Sequence, residues 1–370
     1  MLFKKLKTKT HLYIIVNNVY SEEARLKFSR CDNVKYKIDK KIAIIGAGPA
    51  GLGAAGVLIC KGYEVHVFDA LPEPGGLLLF GIPGFRVPKK NVKEGVEDLR
   101  RLGVIFHVNK RVVEGDKEEN NTIGFDLLVK NFDAVIIATG TWEERKLGVE
   151  GEDLKGVYPA LSFLFEYSRA ELGYIDFKEL PSLGDKVAVI GGGLTAVDAA
   201  EVSHRLGAKE VYMIYRRTIN EAPAKREIER LIKMGIKWIE LATPKRFLGD
   251  ENKRLRKIEL IRMRLGEPDH TGRPRPIPIE GSETYLDVDS VLVAIGEIPT
   301  PPFKMHPEIK LNRDGTIWVD KKNRTTMRGV FAAGDVVIGP SFIGKALASG
   351  IAAANSVDEY LRTGKWILET

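Results

Sequence analysis

Two glycine-rich segments, each placed directly after a short apolar run, constrain the fold of this chain more than any other feature. One begins at Gly46 and reads Gly-Ala-Gly-Pro-Ala-Gly; the other begins at Gly191 and reads Gly-Gly-Gly-Leu-Thr-Ala. An apolar strand, a glycine turn and a small-residue helix, in this order, are typical of the β-α-β unit that binds a dinucleotide. Two such units in one chain indicate two bound dinucleotides, and the usual reason to hold two is hydride transfer between them.

The sequence around the two segments repeats at the scale of a domain. Each segment is followed by a helix and by further apolar strands. The predicted elements are a strand at 41–45, a helix to about residue 61, strands at 64–69, 134–140 and 186–190, a helix at 196–205, strands at 210–215 and 290–296, and a last helix at 342–361. This order predicts an α/β fold with two Rossmann-like dinucleotide-binding domains, each a three-layer ββα arrangement.

The first glycine segment has the residue types that a bound dinucleotide requires. Gly46 permits the tight turn, Gly48 allows the backbone to approach a pyrophosphate, and Gly51 allows the helix to pack closely on the strand. Asp69 follows Gly51 by 18 residues and ends the second strand. A carboxylate at that place is expected to bind ribose hydroxyls.

Two further segments bear on the ligands. The second strand after the second glycine segment ends in Tyr215-Arg216-Arg217 instead of an acid. Two guanidiniums would pair with a 2′-phosphate, so we predict a preference for NADPH over NADH, the alternative being solvated surface charges. Asp335 follows Gly334 at a turn after an apolar strand. It is placed to hold a polyol hydroxyl, although this segment alone is equally consistent with an ordinary Gly-Asp turn.

Charge and composition exclude several classes of protein. The formal net charge is +7, but residues 1–40 hold ten Lys or Arg against four Asp or Glu, which leaves a net of +1 on the other 330 residues. A basic N-terminal arm on a neutral body, without a recognisable motif, does not indicate nucleic-acid binding. The apolar run at 12–16 is too short for a membrane span or a signal core, so we expect no membrane association.

The chain has two cysteines, Cys31 and Cys60, and no Cys-x-x-Cys pair. So few thiols exclude a cysteine-ligated iron–sulfur cluster within the chain and a redox-active disulfide of the thioredoxin-reductase type. We expect Cys60 to be a small buried hydrophobic side chain and, with so few cysteines and no cleavable signal, a cytoplasmic location. His66 lies within a strand and is expected to be a packing residue. We nominate no catalytic side chain and no metal ligand.

Further segments resemble the small (beta) subunit of bacterial glutamate synthase and its relatives, the flavoprotein subunits of NADPH-dependent ferredoxin oxidoreductases. The resemblance covers about residues 40–362. Besides the glycine segments, it rests on the stretches at 74–89, 151–158, 215–224 and 261–269. It implies FAD in a discontinuous domain, 40–145 and 297–370, with an NADPH domain, 146–296, inserted in it, and residues 1–39 as a basic arm.

The resemblance also implies a set of binding residues. Gly76, Leu77 and Arg86 are expected to flank the flavin, and Thr139 and Gly140 to line the crossover between strands. The full set for FAD is Gly46, Gly48, Pro49, Ala50, Gly51, Asp69, Gly76, Leu77, Arg86, Thr139, Gly140, Gly334 and Asp335, and the set for NADPH is Gly191, Gly192, Gly193, Leu194, Thr195, Arg216, Arg217 and Gly296.

The implied activity is hydride transfer from NADPH to FAD, with electrons passed on to a glutamate synthase large subunit or to an iron–sulfur or ferredoxin acceptor. Members of the family usually have a cysteine-rich N-terminal domain with iron–sulfur clusters, and here 40 residues with one cysteine stand in its place. Leu194 replaces a common Asn, and Lys345 replaces a frequent Glu. A stand-alone NADPH reductase for ferredoxin or a quinone, and a non-catalytic flavin-binding subunit, are the alternatives.

Overall fold

The computed structural model describes residues 26–269 and 272–369, and these form two compact units. The second unit comprises Gly81–Pro83 and Glu144–Gly296. The first unit comprises the described residues up to Phe80, then Gly84–Glu143, and the chain from Glu297 onward. Of the predicted basic arm, residues 1–25 lie outside the described residues.

Helices and parallel strands alternate around the two glycine segments, and a run of strands follows between residues 237 and 332. In chain order they are β1 (Lys41–Ile45), α1 (Pro49–Cys60), β2 (Glu64–Phe68), α2 (Leu77–Phe80), α3 (Lys89–Leu102), β3 (Ile105–His107), β4 (Arg111–Val113), β5 (Thr122–Gly124), α4 (Phe125–Asn131), β6 (Ala134–Ile137), β7 (Thr141–Glu144), β8 (Val157–Pro159), α5 (Ala160–Glu171), β9 (Lys186–Ile190), α6 (Leu194–Arg205), β10 (Glu210–Tyr215), α7 (Lys225–Lys233), β11 (Lys237–Glu240), β12 (Ala242–Gly249), β13 (Leu255–Pro268), β14 (Pro274–Pro278), β15 (Thr284–Asp287), β16 (Ser290–Val293), β17 (Glu297–Pro299), β18 (Val330–Ala332), α8 (Asp335–Ile338) and α9 (Ile343–Thr363).

The first unit is built on a parallel sheet with strand order β18-β6-β1-β2-β3. The central strand β1 is apolar and buried on both faces from Ile42 to Ile45, which is the pattern of a parallel strand covered on both sides. Helix α9 crosses α1 at close range, since a Cβ atom at Gly350 would lie only 1.9 Å from the carbonyl oxygen of Ala50. Two pairs of short strands, β4 with β5 and β7 with β17, complete the unit.

The second unit has its own parallel sheet, with strand order β11-β10-β9-β16-β8. The long strand β13 pairs antiparallel with β12, β14 and β15. Ile190 and Val291 of the parallel sheet share one core with Phe247, Ile258 and Leu260 of the antiparallel strands. Strands β12 and β13 thus pack against the parallel sheet of the same unit.

The predicted elements are found, with shifted ends. Strands β6 and β16 end at Ile137 and Val293, three residues before the predicted ends. After each of these strands the backbone turns at a glycine with positive φ, Gly140 at 75° and Gly296 at 109°. A strand cannot continue through such a conformation. His66 packs as expected, stacked on His107 at 5.2 Å between ring centroids.

The prediction for Cys60 is wrong, because Cys60 forms a disulfide with Cys31. The chain before β1 runs along α1, and Phe28 is buried there. A Cβ atom at Gly56 of α1 would lie 2.0 Å from the carbonyl oxygen of Phe28, so the glycine permits this approach. Cys31 is thereby brought to the C-terminal end of α1, where Cys60 is the last residue. Disulfides are uncommon in cytosolic proteins, so the cytoplasmic location stays a prediction.

Among the helices of residues 26–269 and 272–369, none combines the length and the apolar character needed to cross a bilayer.

Candidate functional site

The first glycine turn connects β1 to α1. Gly46 has a φ of 103°, and a Cβ atom there would lie 2.4 Å from the carbonyl oxygen of Ala138, which follows β6. A Cβ atom at Gly51 would lie 1.9 Å from the carbonyl oxygen of Gly46. In contrast, no atom of the described residues lies within 4 Å of a Cβ atom built on Gly48, the N-cap of α1. Two glycines are therefore required by the fold itself, and Gly48 leaves open space at the helix N-terminus.

Helix α1 begins with Pro49 and Ala50, which the sequence analysis assigned to the glycine turn that precedes the helix. Pro49 lacks an N–H and stands at the first helical position, where that group would have no partner within the helix. Gly334, with a φ of 74°, approaches from β18, and a Cβ atom there would lie 2.7 Å from the Cβ atom of Ala50. The first turn of α1 and the turn after β18 therefore lie side by side.

Asp69 lies directly behind the first glycine turn. Its Oδ2 atom accepts a hydrogen bond of 2.5 Å from the N–H of Ala47, and its Oδ1 atom accepts one of 2.8 Å from the N–H of Leu71. The side chain is buried, and this burial raises the pKa of Asp69. The structure thus gives Asp69 a contact that the sequence analysis did not anticipate: it holds the glycine turn in place.

The segment predicted to flank the flavin lies against the same turn. A Cβ atom at Gly76 would lie 2.7 Å from the Cα atom of Gly48, and the N–H of Gly75 donates to the carbonyl of Ala47. Leu77 begins α2. Lys89 closes the other end of this helix, because its Nζ donates to the carbonyl of Leu79 at 2.6 Å. Arg86 lies half-buried between α2 and α3.

The crossover beyond β6 contains a polar atom without a partner. The Oγ1 atom of Thr139 is buried and makes no hydrogen bond to any described residue. The carbonyl of Thr139 accepts from Trp142 Nε1, and the carbonyl of Gly140 accepts from Thr300. Since buried hydroxyls are nearly always paired, the Thr139 Oγ1 atom is available for a hydrogen bond with a ligand or a water molecule.

Asp335, at the start of α8, is half-buried. Its Oδ1 atom accepts a hydrogen bond of 2.6 Å from the hydroxyl of Ser341, and burial raises the pKa of Asp335. The carboxylate retains further acceptor capacity, because each ionised oxygen can accept two hydrogen bonds. Gly46–Gly51, Asp69, Gly76 and Gly334 are thus brought together by contacts, and Asp335 directly follows Gly334.

The second glycine turn, between β9 and α6, repeats the geometry of the first. Gly191 has a φ of 149°, and a Cβ atom there would lie 2.3 Å from the carbonyl oxygen of Ala294. Gly193 is the N-cap of α6, and no atom of the described residues lies within 4 Å of a Cβ atom built on it. Leu194 and Thr195 form the first turn of the helix. Gly192 lies against the ring of Tyr215, at 2.9 Å from a Cβ atom built on the glycine.

Arg216 and Arg217, directly after β10, have different environments. Arg216 is exposed and makes no hydrogen bond or ion pair with any described residue. Arg217 is buried, with 4% of its surface exposed. Its Nε donates to the carbonyl of Pro274 at 2.8 Å, and its Nη2 lies 3.5 Å from Asp269 Oδ2. Only Arg216 therefore presents its guanidinium to solvent.

Gly296, the last predicted NADPH residue, lies after β16. Its carbonyl accepts from the N–H of Arg145, and a Cβ atom on it would be 3.9 Å from the Arg145 side chain. Sequence reasoning did not single out Lys89, which closes α2, or Arg273, whose Nη2 donates to the hydroxyl of Tyr215 at the end of β10. Lys89 lies within a stretch that carries the family resemblance, which could have identified it. Arg273 is distant in sequence from β10, and no local pattern indicates its position.

The chain is similar to known proteins in sequence and in fold. The family model for pyridine nucleotide-disulphide oxidoreductases matches residues 40–350. The solved structure of Mycobacterium tuberculosis FprA in complex with NADPH is similar with a TM-score of 0.71 and 22% identity, covering 88% of this chain and 85% of that chain. A likeness at this identity shows the fold.

Two sequence relatives are closer. Subunit beta of the NADP(+)-dependent formate dehydrogenase of Moorella thermoacetica is 40% identical over 330 residues, which cover 88% of this chain and 44% of that protein. The glutamate synthase [NADPH] small chain of Azospirillum brasilense is 38% identical over 329 residues, which cover 87% of this chain and 66% of that protein. This chain therefore spans between about half and two thirds of the length of these relatives.

The predicted resemblance and the predicted fold class are confirmed by these matches. The predicted enzyme class is also confirmed, an oxidoreductase with FAD and a pyridine nucleotide as cofactors. This chain belongs to the pyridine nucleotide-disulphide oxidoreductase family, with the small chains of glutamate synthase among its relatives.

Proposed function

We propose that this chain passes a hydride from NADPH to FAD and passes the electrons on to a partner polypeptide, in the manner of a glutamate synthase small chain. One observation carries the proposal. Each of the two parallel sheets has a glycine turn at the carboxyl end of its central strand, and each turn has open space at its helix N-cap, at Gly48 and at Gly193. A helix N-terminus with free backbone N–H groups and open space suits a pyrophosphate.

The first unit fits FAD. The turn at Gly46–Gly51 would hold the pyrophosphate, and Asp69 would position the turn and retain lone pairs for a ribose hydroxyl. The buried Thr139 Oγ1 atom, which no described residue satisfies, would gain a partner from the ligand. Asp335 would accept from a polyol hydroxyl. When bound, FAD supplies the ring system that accepts a hydride and releases electrons.

The second unit fits NADPH. Gly191–Gly193 would hold the pyrophosphate at the N-terminus of α6, and Arg216 would pair with the 2′-phosphate that distinguishes NADPH from NADH. No side-chain acid or base is required for hydride transfer, since the residues of both units bind and orient their ligands and exclude water. This agrees with our nomination of no catalytic side chain.

The proposal includes a partner polypeptide that takes up the electrons. The two relatives above are a subunit and a small chain of larger oxidoreductases, which supports a partner subunit for this chain as well. A glutamate synthase large subunit, or an iron–sulfur or ferredoxin acceptor, would supply the onward route.

The test is an anaerobic titration of the purified chain, followed by its visible spectrum. We expect a yellow protein that NADPH bleaches and that NADH bleaches poorly. NADPH oxidation is then measured with a dye, with ferredoxin and with an added large subunit. Turnover with ferredoxin alone indicates a stand-alone reductase, whereas turnover only after the large subunit is added indicates a partner-dependent subunit. A yellow protein that neither nucleotide reduces would overturn the hydride transfer and leave a non-catalytic flavin-binding subunit.

A further inference from the structure

A third arginine lies beside the two that follow β10. Arg273 precedes β14, and its Nη2 donates to the hydroxyl of Tyr215 at 2.9 Å and to the carbonyl of Glu221 at 2.7 Å. Tyr215 is the last residue of β10 and the residue before Arg216. The guanidinium of Arg273 is therefore anchored at the end of β10, next to the exposed Arg216.

Three guanidiniums come together at this place, those of Arg216, Arg217 and Arg273. The carboxylate of Asp269 pairs with Arg217, and that of Glu221 accepts from Thr218. Neither Arg216 nor Arg273 forms an ion pair with any described residue. Desolvation, and then the charges of Arg217 and Arg273, lower the pKa of Arg216. Like charges held this close are unfavourable unless an anion joins them, which is the pattern of a phosphate site.

Arg217 differs from Arg216 and Arg273, because its side chain is buried within the second unit. Its Nε holds the carbonyl of Pro274, the residue after Arg273, at 2.8 Å. The backbone of Arg273 is fixed from the other side as well, since its carbonyl accepts from the N–H of Asp269. Arg217 and Asp269 together thus fix the backbone at Arg273, from which its guanidinium reaches Tyr215 and Glu221.

We propose that the 2′-phosphate of NADPH is bound by Arg216 together with Arg273, and that Arg217 is a positioning residue that holds Arg273 at the end of β10. The inference rests on the proposed binding of NADPH to the second unit. It deepens that proposal by assigning specificity to a residue about 57 positions beyond the pair that the sequence suggests. Bidentate contact from two planar guanidiniums is a strong way to select a phosphate.

The test measures binding without turnover, on the full FAD-loaded chain. The probes are 2′,5′-ADP and 5′-AMP, which differ only by the 2′-phosphate, and the method is titration calorimetry. We expect Arg273→Gln to weaken 2′,5′-ADP roughly 10- to 100-fold, as the loss of charge-assisted hydrogen bonds should, and to leave 5′-AMP unchanged. Arg217→Gln should also weaken 2′,5′-ADP selectively, although Arg217 does not touch the phosphate.

The control is Arg264→Gln, which removes the same charge from an exposed position on β13 and should change neither probe. If wild-type protein binds the two probes equally, the assignment of NADPH fails, and this inference fails with it. If wild type prefers 2′,5′-ADP but Arg273→Gln binds like wild type, or loses both probes equally, the inference alone is overturned. Should Arg273→Gln not fold, Arg273→Lys retains the charge without the planar donors, and a selective loss of 2′,5′-ADP affinity remains the expected result.

Discussion

The carboxylate of Asp69 accepts a hydrogen bond of 2.5 Å from the backbone N–H of Ala47, so the acid that ends β2 fixes the glycine turn that follows β1. A second backbone N–H, that of Leu71, donates to the other oxygen. The residue predicted to meet a ribose hydroxyl therefore also shapes the turn predicted to hold the pyrophosphate. Any change at Asp69 is expected to act on both.

The first prediction concerns the pH dependence of stability through Asp69. Burial raises its pKa, so the fold favours the protonated carboxyl. The associated stability is fully present below the ordinary Asp pKa of about 3.9 and is lost as pH rises through the native pKa. Asp69→Asn cannot titrate. In flavin-free protein, the unfolding free energy of wild type minus that of Asp69→Asn should therefore fall as the pH rises above the ordinary Asp pKa. The fall is about 1.4 kcal/mol for each tenfold difference between the acid constants of the folded and unfolded protein. A flat or rising difference contradicts the burial argument.

The second prediction uses the open space at Gly48. Its φ of −76° is accessible to any residue, and a Cβ atom would meet no described atom within 4 Å. Gly48→Val should therefore lower the unfolding free energy of flavin-free protein by no more than about 1 kcal/mol, the cost of a poorer N-cap. It should weaken FAD binding by roughly 100-fold, or about 2.7 kcal/mol, because the side chain would occupy the space of the pyrophosphate. The measurement is the flavin-to-protein ratio during FAD titration.

Gly51→Ala is the matched contrast, because its Cβ atom would lie 1.9 Å from the carbonyl oxygen of Gly46. That variant should lose stability in flavin-free protein, where Gly48→Val does not. If Gly48→Val binds FAD with wild-type affinity, the proposal that this turn holds the pyrophosphate is wrong.

The third prediction is the equivalent change in the second unit. Gly193 has a φ of −91° and the same open surroundings. Gly193→Val should leave the visible flavin spectrum unchanged and weaken NADPH binding by roughly 100-fold, again about 2.7 kcal/mol. The measurement is the NADPH concentration that half-bleaches the flavin under anaerobic conditions. Because Gly48→Val and Gly193→Val should affect different ligands, each serves as the control for the other, and a loss of FAD from Gly193→Val would refute the assignment of one cofactor to each unit.

How much the sequence could predict depends on how local each feature is. The turns at Gly46 and Gly191 were predictable, because a strand, a turn and a helix are set by neighbours along the chain. The opposite orientations of Arg216 and Arg217 follow from the alternation of side chains at the end of a strand and could also have been inferred. The contacts of Arg217 could not be inferred, because Asp269 and Pro274 lie more than 50 residues away in the sequence.

The other misses have the same physical origin. The pairing of Cys31 with Cys60 depends on how the chain before β1 runs along α1, and the burial of Phe28 on Gly56 is a tertiary contact. The unsatisfied hydroxyl of Thr139 was not visible in the sequence either, although the residue itself was predicted to line the crossover. Residue types at motif positions could be predicted, whereas the partners of their polar atoms required the fold.

The last prediction concerns the disulfide. Cys31 and Cys60 are 29 residues apart, and closing a loop of that length restricts the unfolded chain by about 3 to 4 kcal/mol. The double variant Cys31→Ser/Cys60→Ser should lose about that much unfolding free energy in chemical denaturation, and wild type in reductant should behave like it. The double variant itself should not respond to reductant.

The state of the same two cysteines in the cell tests the predicted location. A thiol-blocking reagent is added at cell lysis, and the blocked thiols per chain are then counted. Two blocked thiols per chain would mean that the pair is reduced in the cell, as expected for a cytoplasmic protein, and that the bond forms only on oxidation. No blocked thiol would mean that the disulfide exists in the cell, and the predicted cytoplasmic location would then be wrong or the bond protected from cellular reductants by its packing. If reductant opens the bond in the native protein, the packing does not protect it and the predicted cytoplasmic location is wrong. If reductant opens it only after denaturation, the packing alone explains how the bond survives in the cell.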